Sequence, residues 1–378
     1  MKKIWYLLLA LFIGFGPLLA RDDSDTESGG RRSGKSVKEK VRNVRKAASK
    51  KKKELREMGV KNVRVNTPGD WPRKVSVPKD TEVSEAAGGA PGTGYTYTSN
   101  NFVFRSRNKL MPEAQKTVSR LCECAYAACK AISEVLPVPR ASADRGEKKF
   151  VVELQPGMEE YFAAGGPTNS AGVFLGAYRN TGAPPTEADI AMDKVMIPFP
   201  SLGIGRSGKV ERDDIDTHAL VHELTHQQFL LNALPIWANE GWAEYVGYVP
   251  YVGEDLDFER GFSLILHAAK QRADRGALDF DFKLEDFFTM DQQTMYGYMP
   301  QGKDTYMLSV MTIAFFVHLD GKKGVDAMKA YLQALLDGKS HEDAAQELIA
   351  PHRTAARLQQ AFIRAWKSKK VKVSFPKK

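Results

Sequence analysis

The stretch from Asp214 to Tyr245 constrains this chain more than any other part of its sequence. It contains HELTH at residues 222–226, which is an HExxH motif. On a helix, residues four positions apart lie on the same face, so both imidazoles can reach a single zinc ion. Glu223 stands beside the metal without binding it, where it can accept a proton from a metal-activated water. The motif therefore predicts a catalytic zinc site on a helix.

A catalytic zinc needs a third protein ligand and one open position. The sequence predicts that the first helix runs to about Leu231, breaks at 232–235 and is followed by a second helix from Ile236. That second helix carries NEGWAEY at 239–245, which supplies two carboxylates one turn apart. Gly241 lies between them and would let the two helices approach closely.

The two carboxylates, Glu240 and Glu244, share one helical face. One can bind the metal, and the other can accept a hydrogen bond from the second ring nitrogen of His222 and fix its tautomer. We favour His222, His226 and Glu240 as the ligands, with Glu244 behind His222. The assignment with the two glutamates exchanged stays open.

These motifs resemble the gluzincin group of zinc metallopeptidases, in which HExxH is followed by a glutamate on the next helix. HELTH is the form seen in thermolysin-like enzymes, and WANEGWAEY is similar to the WLNEG segment of aminopeptidases. The chain also resembles a little-characterised group of bacterial gluzincin-like domains that read HExTHQ, then LPxWxxEGxAEY, then YxxS before an apolar helix. The resemblance implies a zincin-like lobe, a Zn²⁺ cofactor and hydrolysis of peptide bonds.

Tyr306 opens an apolar stretch, TYMLSVMTIAFFVHL, where the related bacterial domains place YxxS. A tyrosine hydroxyl beside the metal can stabilise the oxyanion of a tetrahedral intermediate, although Tyr306 can equally be a packing residue. Tyr296 and Tyr298 are weaker candidates for the same role. Of the other histidines, His218 is interpreted as a packed or solvent-facing residue and His318 as a core residue.

The chain has 378 residues, a formal net charge of +9 and a hydrophobic content of 43%, which is enough for a substantial core. Its three cysteines, Cys122, Cys124 and Cys129, fall on one predicted helix. Seven helical positions span about 10 Å, too far for a disulfide between Cys122 and Cys129. We interpret all three as small core residues. A thiolate metal site is the alternative.

Residues 1–20 are typical of a secretory signal peptide, because two lysines precede an apolar stretch that ends near Ala20. We therefore expect an exported protein that is periplasmic, envelope-associated or secreted. A retained N-terminal membrane anchor is the alternative. An exported protein is not expected to bind nucleic acid.

Residues 21–94 differ in composition from the rest of the chain. They include the basic run Lys50–Lys53 and a passage rich in Gly, Pro and Thr, and they contain few apolar side chains. Such a segment cannot bury enough surface to offset its ordering entropy, so we predict a basic, disordered, flexible linker. The alternative is an electrostatic arm that contacts a polyanion or a membrane surface.

The folded part is predicted to comprise a zincin-like lobe at 95–250, which carries the active-site helix, and a helical C-terminal lobe at 251–378. The tail from Ser368 onward is basic and expected to fray. Strands mixed with helices ahead of the metal helix favour an α+β class. Strands are expected at 101–107, 149–154, 171–178 and 195–199. By resemblance, one of the last two would hold an extended substrate through its backbone.

Together the motifs favour an exported, zinc-dependent metallopeptidase that acts on a peptide or protein substrate. The alternative from another class is a zinc-containing protein without turnover that serves as a peptide-binding or cell-envelope scaffold. A third hypothesis makes the basic arm a polyanion binder, but it leaves the HExxH motif without a role.

Overall fold

The computed structural model describes residues 71–77, 83–85, 94–139, 148–168, 170–176, 193–211, 217–229, 234–252 and 255–376. The predicted signal peptide, the basic run Lys50–Lys53 and most of the predicted linker lie outside the described residues. None of the helices within those ranges combines the length and the apolarity that a membrane crossing needs.

The described strands form a six-stranded sheet and a three-stranded sheet. Their bounds are β1 (Lys74–Val75), β2 (Ser84–Glu85), β3 (Tyr95–Thr98), β4 (Phe102–Ser106), β5 (Phe150–Gln155), β6 (Val173–Leu175), β7 (Lys194–Pro198), β8 (Tyr251–Val252) and β9 (Asp255–Asp257). The larger sheet has the order β2-β3-β4-β5-β7-β6 and the smaller β1-β9-β8.

The centre of the larger sheet is parallel. Strands β4, β5 and β7 run in one direction, with Phe104 opposite Val152 and Val152 opposite Val195. Strand β6 lies at the edge and runs antiparallel to β7, with Phe174 opposite Val195. Along β4, Phe102, Phe104 and Ser106 are buried while the residues between them are not, as the twofold repeat of a strand requires.

The described helices surround this sheet and then continue as a helical region. They are α1 (Pro112–Val135), α2 (Met158–Ala163), α3 (His218–Gln228), α4 (Ile236–Gly247), α5 (Phe258–Asp274), α6 (Leu284–Phe287), α7 (Gln292–Gly297), α8 (Thr305–Ala314), α9 (Gly321–Leu336), α10 (His341–Ile349) and α11 (Ala355–Ser368). Helix α8 continues as a π-helical turn at Phe315–Leu319. The fold is of the α+β class, as predicted.

Helix α4 is buried from Trp237 to Gly247. A Cβ added at Gly241 would lie 2.9 Å from the carbonyl oxygen of Ser309 and 2.9 Å from Cγ1 of Ile313. Glycine is therefore needed for a close helix approach, but the partner is α8. The sequence prediction, which paired Gly241 with the HELTH helix, was wrong on this point.

One hydrophobic cluster runs through both predicted lobes, since it includes Phe104 of the sheet, Trp237 of α4 and Phe316 after α8. Cys122, Cys124 and Cys129 are all completely buried in it and form no disulfide, which confirms their interpretation as core residues. Burial raises the pKa of the Cys122 thiol well above its ordinary value, so the uncharged thiol is favoured there.

A part of the predicted linker packs on the core. Trp71 is 5% exposed, and its indole N–H donates to the hydroxyl of Tyr245 over 3.1 Å. Lys74 pairs with Asp257, which joins β1 to β9. The structure therefore differs from the linker prediction at these residues, because one large aromatic side chain supplies apolar area that the average composition of 21–94 does not reveal.

The C-terminal tail also packs, so the prediction of a frayed tail was wrong for 371–376. Val371, Val373 and Phe375 are buried. The amide of Phe280 donates to the carbonyl of Ser374 over 3.0 Å, and the amide of Ser374 donates to the carbonyl of Leu278 over 3.1 Å. Apolar residues at every second position are the pattern of a strand with one buried face.

Candidate metal centre

Helix α3 places two imidazoles against each other inside the protein. His222 and His226 are one turn apart, and their Nε2 atoms are 2.9 Å apart. Their exposed fractions are 0% and 2%. The two rings meet nearly at right angles. Because the two Nε2 atoms are so close, they share the same small space.

Helix α4 brings a carboxylate into that space. Oε2 of Glu240 lies 3.5 Å from Nε2 of His222 and 3.4 Å from Nε2 of His226. This oxygen is buried and accepts no hydrogen bond from the described residues. The structure thus brings together the three predicted ligands, and this is the group among the described residues whose donor atoms are placed to hold a metal ion.

The other ring nitrogen of each histidine lies beside a side-chain oxygen of α4. Nδ1 of His222 lies 3.1 Å from Oε1 of Glu244. Nδ1 of His226 lies 2.9 Å from Oδ1 of Asn239. If both Nδ1 atoms carry the proton, both Nε2 lone pairs face the Glu240 oxygen and each other. Three converging lone pairs repel unless a proton or a metal ion lies among them.

The donor set fits zinc. A tetrahedral ion with bonds of about 2.0–2.1 Å holds its ligand atoms about 3.3–3.4 Å apart. The three separations among His222, His226 and Glu240 are 2.9, 3.5 and 3.4 Å. Two imidazoles and one carboxylate are also a donor set found in catalytic zinc sites.

Glu223 lies beside this group and touches the edge strand. Its Oε2 accepts a hydrogen bond of 2.7 Å from the backbone amide of Phe174 in β6. A Cβ added at Gly172 would lie 3.5 Å from Cγ of Glu223 and 2.1 Å from Cδ1 of Ile197. A larger residue at position 172 would therefore require Ile197 to move, whereas its distance to Glu223 would be an ordinary van der Waals contact. Burial raises the pKa of Glu223, although the neighbouring histidines act in the opposite direction.

Two tyrosines lie near Glu240. The sequence favoured Tyr306 over Tyr296 as the residue that acts at the site, whereas in the structure both belong to it. The hydroxyl of Tyr296 donates to Oε1 of Glu240 over 3.0 Å. The ring of Tyr306 stacks on that of Tyr296, with centroids 5.9 Å apart and planes 7° apart. The buried hydroxyl of Tyr306 has no hydrogen-bond partner among the described residues. Tyr298 packs on Phe282 instead.

The carboxylates of α4 are held in their charged form. Burial by itself would raise the pKa of Glu240, but the two facing histidines outweigh burial and lower that pKa to about 2. Burial is likewise outweighed at Glu244, where His218 and His222 hold the pKa well below its ordinary range. Burial opposes the charged form of His222 too, yet Glu240 and Glu244 raise its pKa well above 6.5.

His218 lies outside the metal-holding group, in agreement with the sequence interpretation that it is not a ligand. Its Nε2 lies 3.4 Å from Oε2 of Glu244, and its ring meets that of Tyr248 edge to face at 4.9 Å. His318 is buried and bonds through Nε2 to the hydroxyl of Tyr245 over 2.8 Å, which confirms it as a core histidine.

Sequence reasoning missed two contributors to the site. Asn239 was read only as part of the motif, although its place directly before Glu240 is a signal that it shares the same helix turn as the ligand. The backbone amide of Phe174 carries no sequence signal at all, since any residue other than proline could supply it.

No family model matches the chain, and no curated protein resembles it significantly in sequence. The assignment of the site therefore depends on the geometry of its own residues.

Proposed function

We propose that this chain is a zinc-dependent hydrolase of peptide bonds. The observation that carries the proposal is the convergence of the two Nε2 atoms and the Glu240 oxygen inside the protein. Three protein donors leave one tetrahedral position free for a reactant, whereas structural zinc sites are usually closed by four protein ligands. The same donor set supports assigning the mixed sheet and α3 to a zincin-like lobe.

Zinc held by His222, His226 and Glu240 would polarise the scissile carbonyl and lower the pKa of a water molecule toward about 7. Glu223 takes a proton from the attacking water while the water oxygen bonds to the carbonyl carbon. As the C–N bond breaks, Glu223 passes that proton to the leaving amine. The raised pKa of the Glu223 carboxyl supports this proton-carrying role.

The surroundings support an amide substrate in an extended conformation. Strand β6 is an edge strand of the six-stranded sheet, and the amide of Phe174 is directed at Glu223. An extended peptide can pair with such an edge through backbone hydrogen bonds. The Tyr306 hydroxyl, which lacks a partner among the described residues, can donate to the oxyanion that forms on the substrate.

A second candidate function draws on burial. His222 and Glu240 have no exposed surface, and Glu223 is already occupied by the Phe174 amide. A site closed in this way also suits a zinc-containing scaffold or peptide-binding module without turnover. Under this alternative, zinc stabilises the junction of α3 and α4, and Glu223 serves only to hold β6.

Export remains part of the proposal, with residues 1–20 as the signal peptide or a retained anchor. Contact of the basic segment around Lys50–Lys53 with a polyanion or a membrane surface is proposed on charge alone. Both features lie outside the residues that the structure describes.

The test is metal analysis of the purified full chain together with its Glu223→Gln variant. We expect about one zinc per chain in both proteins, because Glu223 does not bind the ion. We expect peptide turnover to fall about 10²–10⁴-fold in the variant, the usual contribution of a general acid–base. Equal turnover in both proteins would refute the mechanism, and zinc without turnover in either would favour the scaffold.

A further inference from the structure

We propose that His218 is a positioning residue of the metal centre. It would act through Glu244, as the outer member of a chain that runs from His218 through Glu244 to the ligand His222. This inference rests on the proposed zinc site, and it concerns a residue that the mechanism above leaves unused.

The geometry of Glu244 carries the argument. Its two carboxylate oxygens face different histidines, with Oε1 lying 3.1 Å from Nδ1 of His222 and Oε2 lying 3.4 Å from Nε2 of His218. Glu244 is 6% exposed. Its carboxylate lies between two imidazoles that both belong to α3. A carboxylate held at both oxygens cannot rotate without losing one of these contacts.

The end of α4 is shaped to accommodate the His218 ring. A Cβ added at Gly247 would lie 3.2 Å from both Cδ2 and Nε2 of His218, so a larger residue there would crowd the imidazole. Tyr248 covers the ring from the side, edge to face. Glu244, Gly247 and Tyr248 all lie within one turn at the end of α4, so one segment both contacts and accommodates the ring.

The consequence is control over the ligand His222. A metal-binding imidazole needs its free lone pair at Nε2, and the acceptor at Nδ1 fixes that tautomer and the ring orientation. If His218 holds Glu244 in place, then Glu244 holds His222 ready for the metal. Loss of His218 would leave Glu244 with one contact and let the carboxylate turn away from His222.

The experiment measures zinc affinity at constant pH by competition with a chelator, in the full chain and in His218→Ala, His218→Gln and His341→Ala. His341 is an exposed histidine on α10 and serves as the control. We expect His218→Ala to weaken zinc binding about 10-fold, at the lower end of the range for residues that orient ligands. His218→Gln should restore most of the affinity, because its amide nitrogen can donate to Oε2 of Glu244 from about the same place.

A second readout follows the ligand field directly. In protein loaded with Co²⁺ instead of zinc, the visible absorption bands should change in His218→Ala and return toward the wild-type bands in His218→Gln. If His218→Ala does not fold, Gly247→Ala replaces it, since the added methyl group displaces the same ring. We expect that variant to weaken zinc binding as well.

The outcomes separate this inference from the proposed function. Wild-type protein without stoichiometric zinc would overturn both. Zinc in the wild type with unchanged affinity in His218→Ala would overturn the role of His218 and leave the metal site intact. A loss in His218→Ala that His218→Gln fails to recover would mean that the ring matters only by its volume, which also overturns the proposal.

Discussion

Helix α4 presents consecutive residues to two different buried histidines. Glu244 faces His222, and Tyr245 faces His318. The two histidines are 0% and 4% exposed, so burial is nearly the same. Their pKa values nevertheless move in opposite directions, because two carboxylates raise that of His222 while burial alone lowers that of His318 to about 3. Partners, and not burial, decide whether a buried histidine suits a cation.

The surroundings of His318 are aromatic. Tyr245 stacks on its ring at 5.7 Å, and Trp71 and Phe262 meet it edge to face at 6.1 and 5.3 Å. A neutral imidazole fits such a site as a hydrogen-bond acceptor for the Tyr245 hydroxyl. The same side-chain type therefore lies among carboxylates on one side of α4 and among aromatic rings on the other.

The largest expected effect is the loss of zinc from the proposed metal site, with the His318 side of α4 left unchanged. In His222→Ala, the zinc-binding group loses a ligand, and we expect stoichiometric zinc to disappear while the folded chain remains soluble. Metal analysis after removal of free zinc measures this. Retention of one zinc per chain in His222→Ala would contradict the ligand assignment.

His318→Ala is the matched change on the other side. We expect zinc content to stay at the wild-type level while the free energy of unfolding falls by about 2–4 kcal/mol, since a cavity forms and the Tyr245 hydroxyl loses its acceptor. Urea unfolding gives the free energy. If His318→Ala loses zinc without unfolding, the two sides of α4 are not independent.

The two stacked tyrosines allow a comparison between two residues beside the proposed metal site. Tyr306→Phe removes a hydroxyl that is free to meet a substrate, and we expect turnover to fall about 10²–10³-fold with zinc affinity unchanged. Tyr296→Phe removes the donor to Glu240, and we expect zinc affinity to fall about 10-fold. Turnover assays and chelator competition on both variants measure the split, and the opposite pattern would exchange the two roles.

A more gradual expected effect is a pH dependence of opposite sign for the two histidines in metal-free protein. The raised pKa of His222 gives stability that is complete below about 6.5 and is lost as pH rises through the folded value. The lowered pKa of His318 means that stability is lost as pH falls below about 6.5, toward its folded value of about 3.

Each group contributes a slope of at most about 1.4 kcal/mol per pH unit. Urea unfolding of chelator-treated wild type and His318→Phe, between about pH 4.5 and 6.5, isolates the His318 contribution as the difference between the proteins. We expect the wild type to lose stability relative to the variant as pH falls. Parallel curves would contradict a neutral, buried His318.

The sequence predicted the parts of the molecule that local patterns encode. HELTH and NEGWAEY placed His222, His226 and Glu240 on adjacent helices, and the structure brings their donor atoms together. Helical spacing also predicted α1 and the burial of its cysteines. In each case the information lies within a few helical turns, where 3.6-residue periodicity determines which side chains share a face.

What the sequence did not indicate depends on contacts between distant residues. Trp71 and Tyr245 are 174 positions apart, and Tyr296 and Glu240 are 56 apart. No local pattern relates such pairs, because their proximity depends on how the whole chain between them folds. The partner of Gly241 was misassigned for the same reason, since α8 lies far along the chain from α4.

The position of Tyr245 directly after Glu244 has a mechanical consequence. Each residue added to a helix turns everything beyond it by about 100°. One residue inserted between Glu240 and Glu244 would therefore swing Glu244 away from His222 and Tyr245 away from His318 in a single step. The rotational phase of α4 therefore sets both the proposed metal centre and the aromatic cluster, and a shift that changes one also disturbs the other.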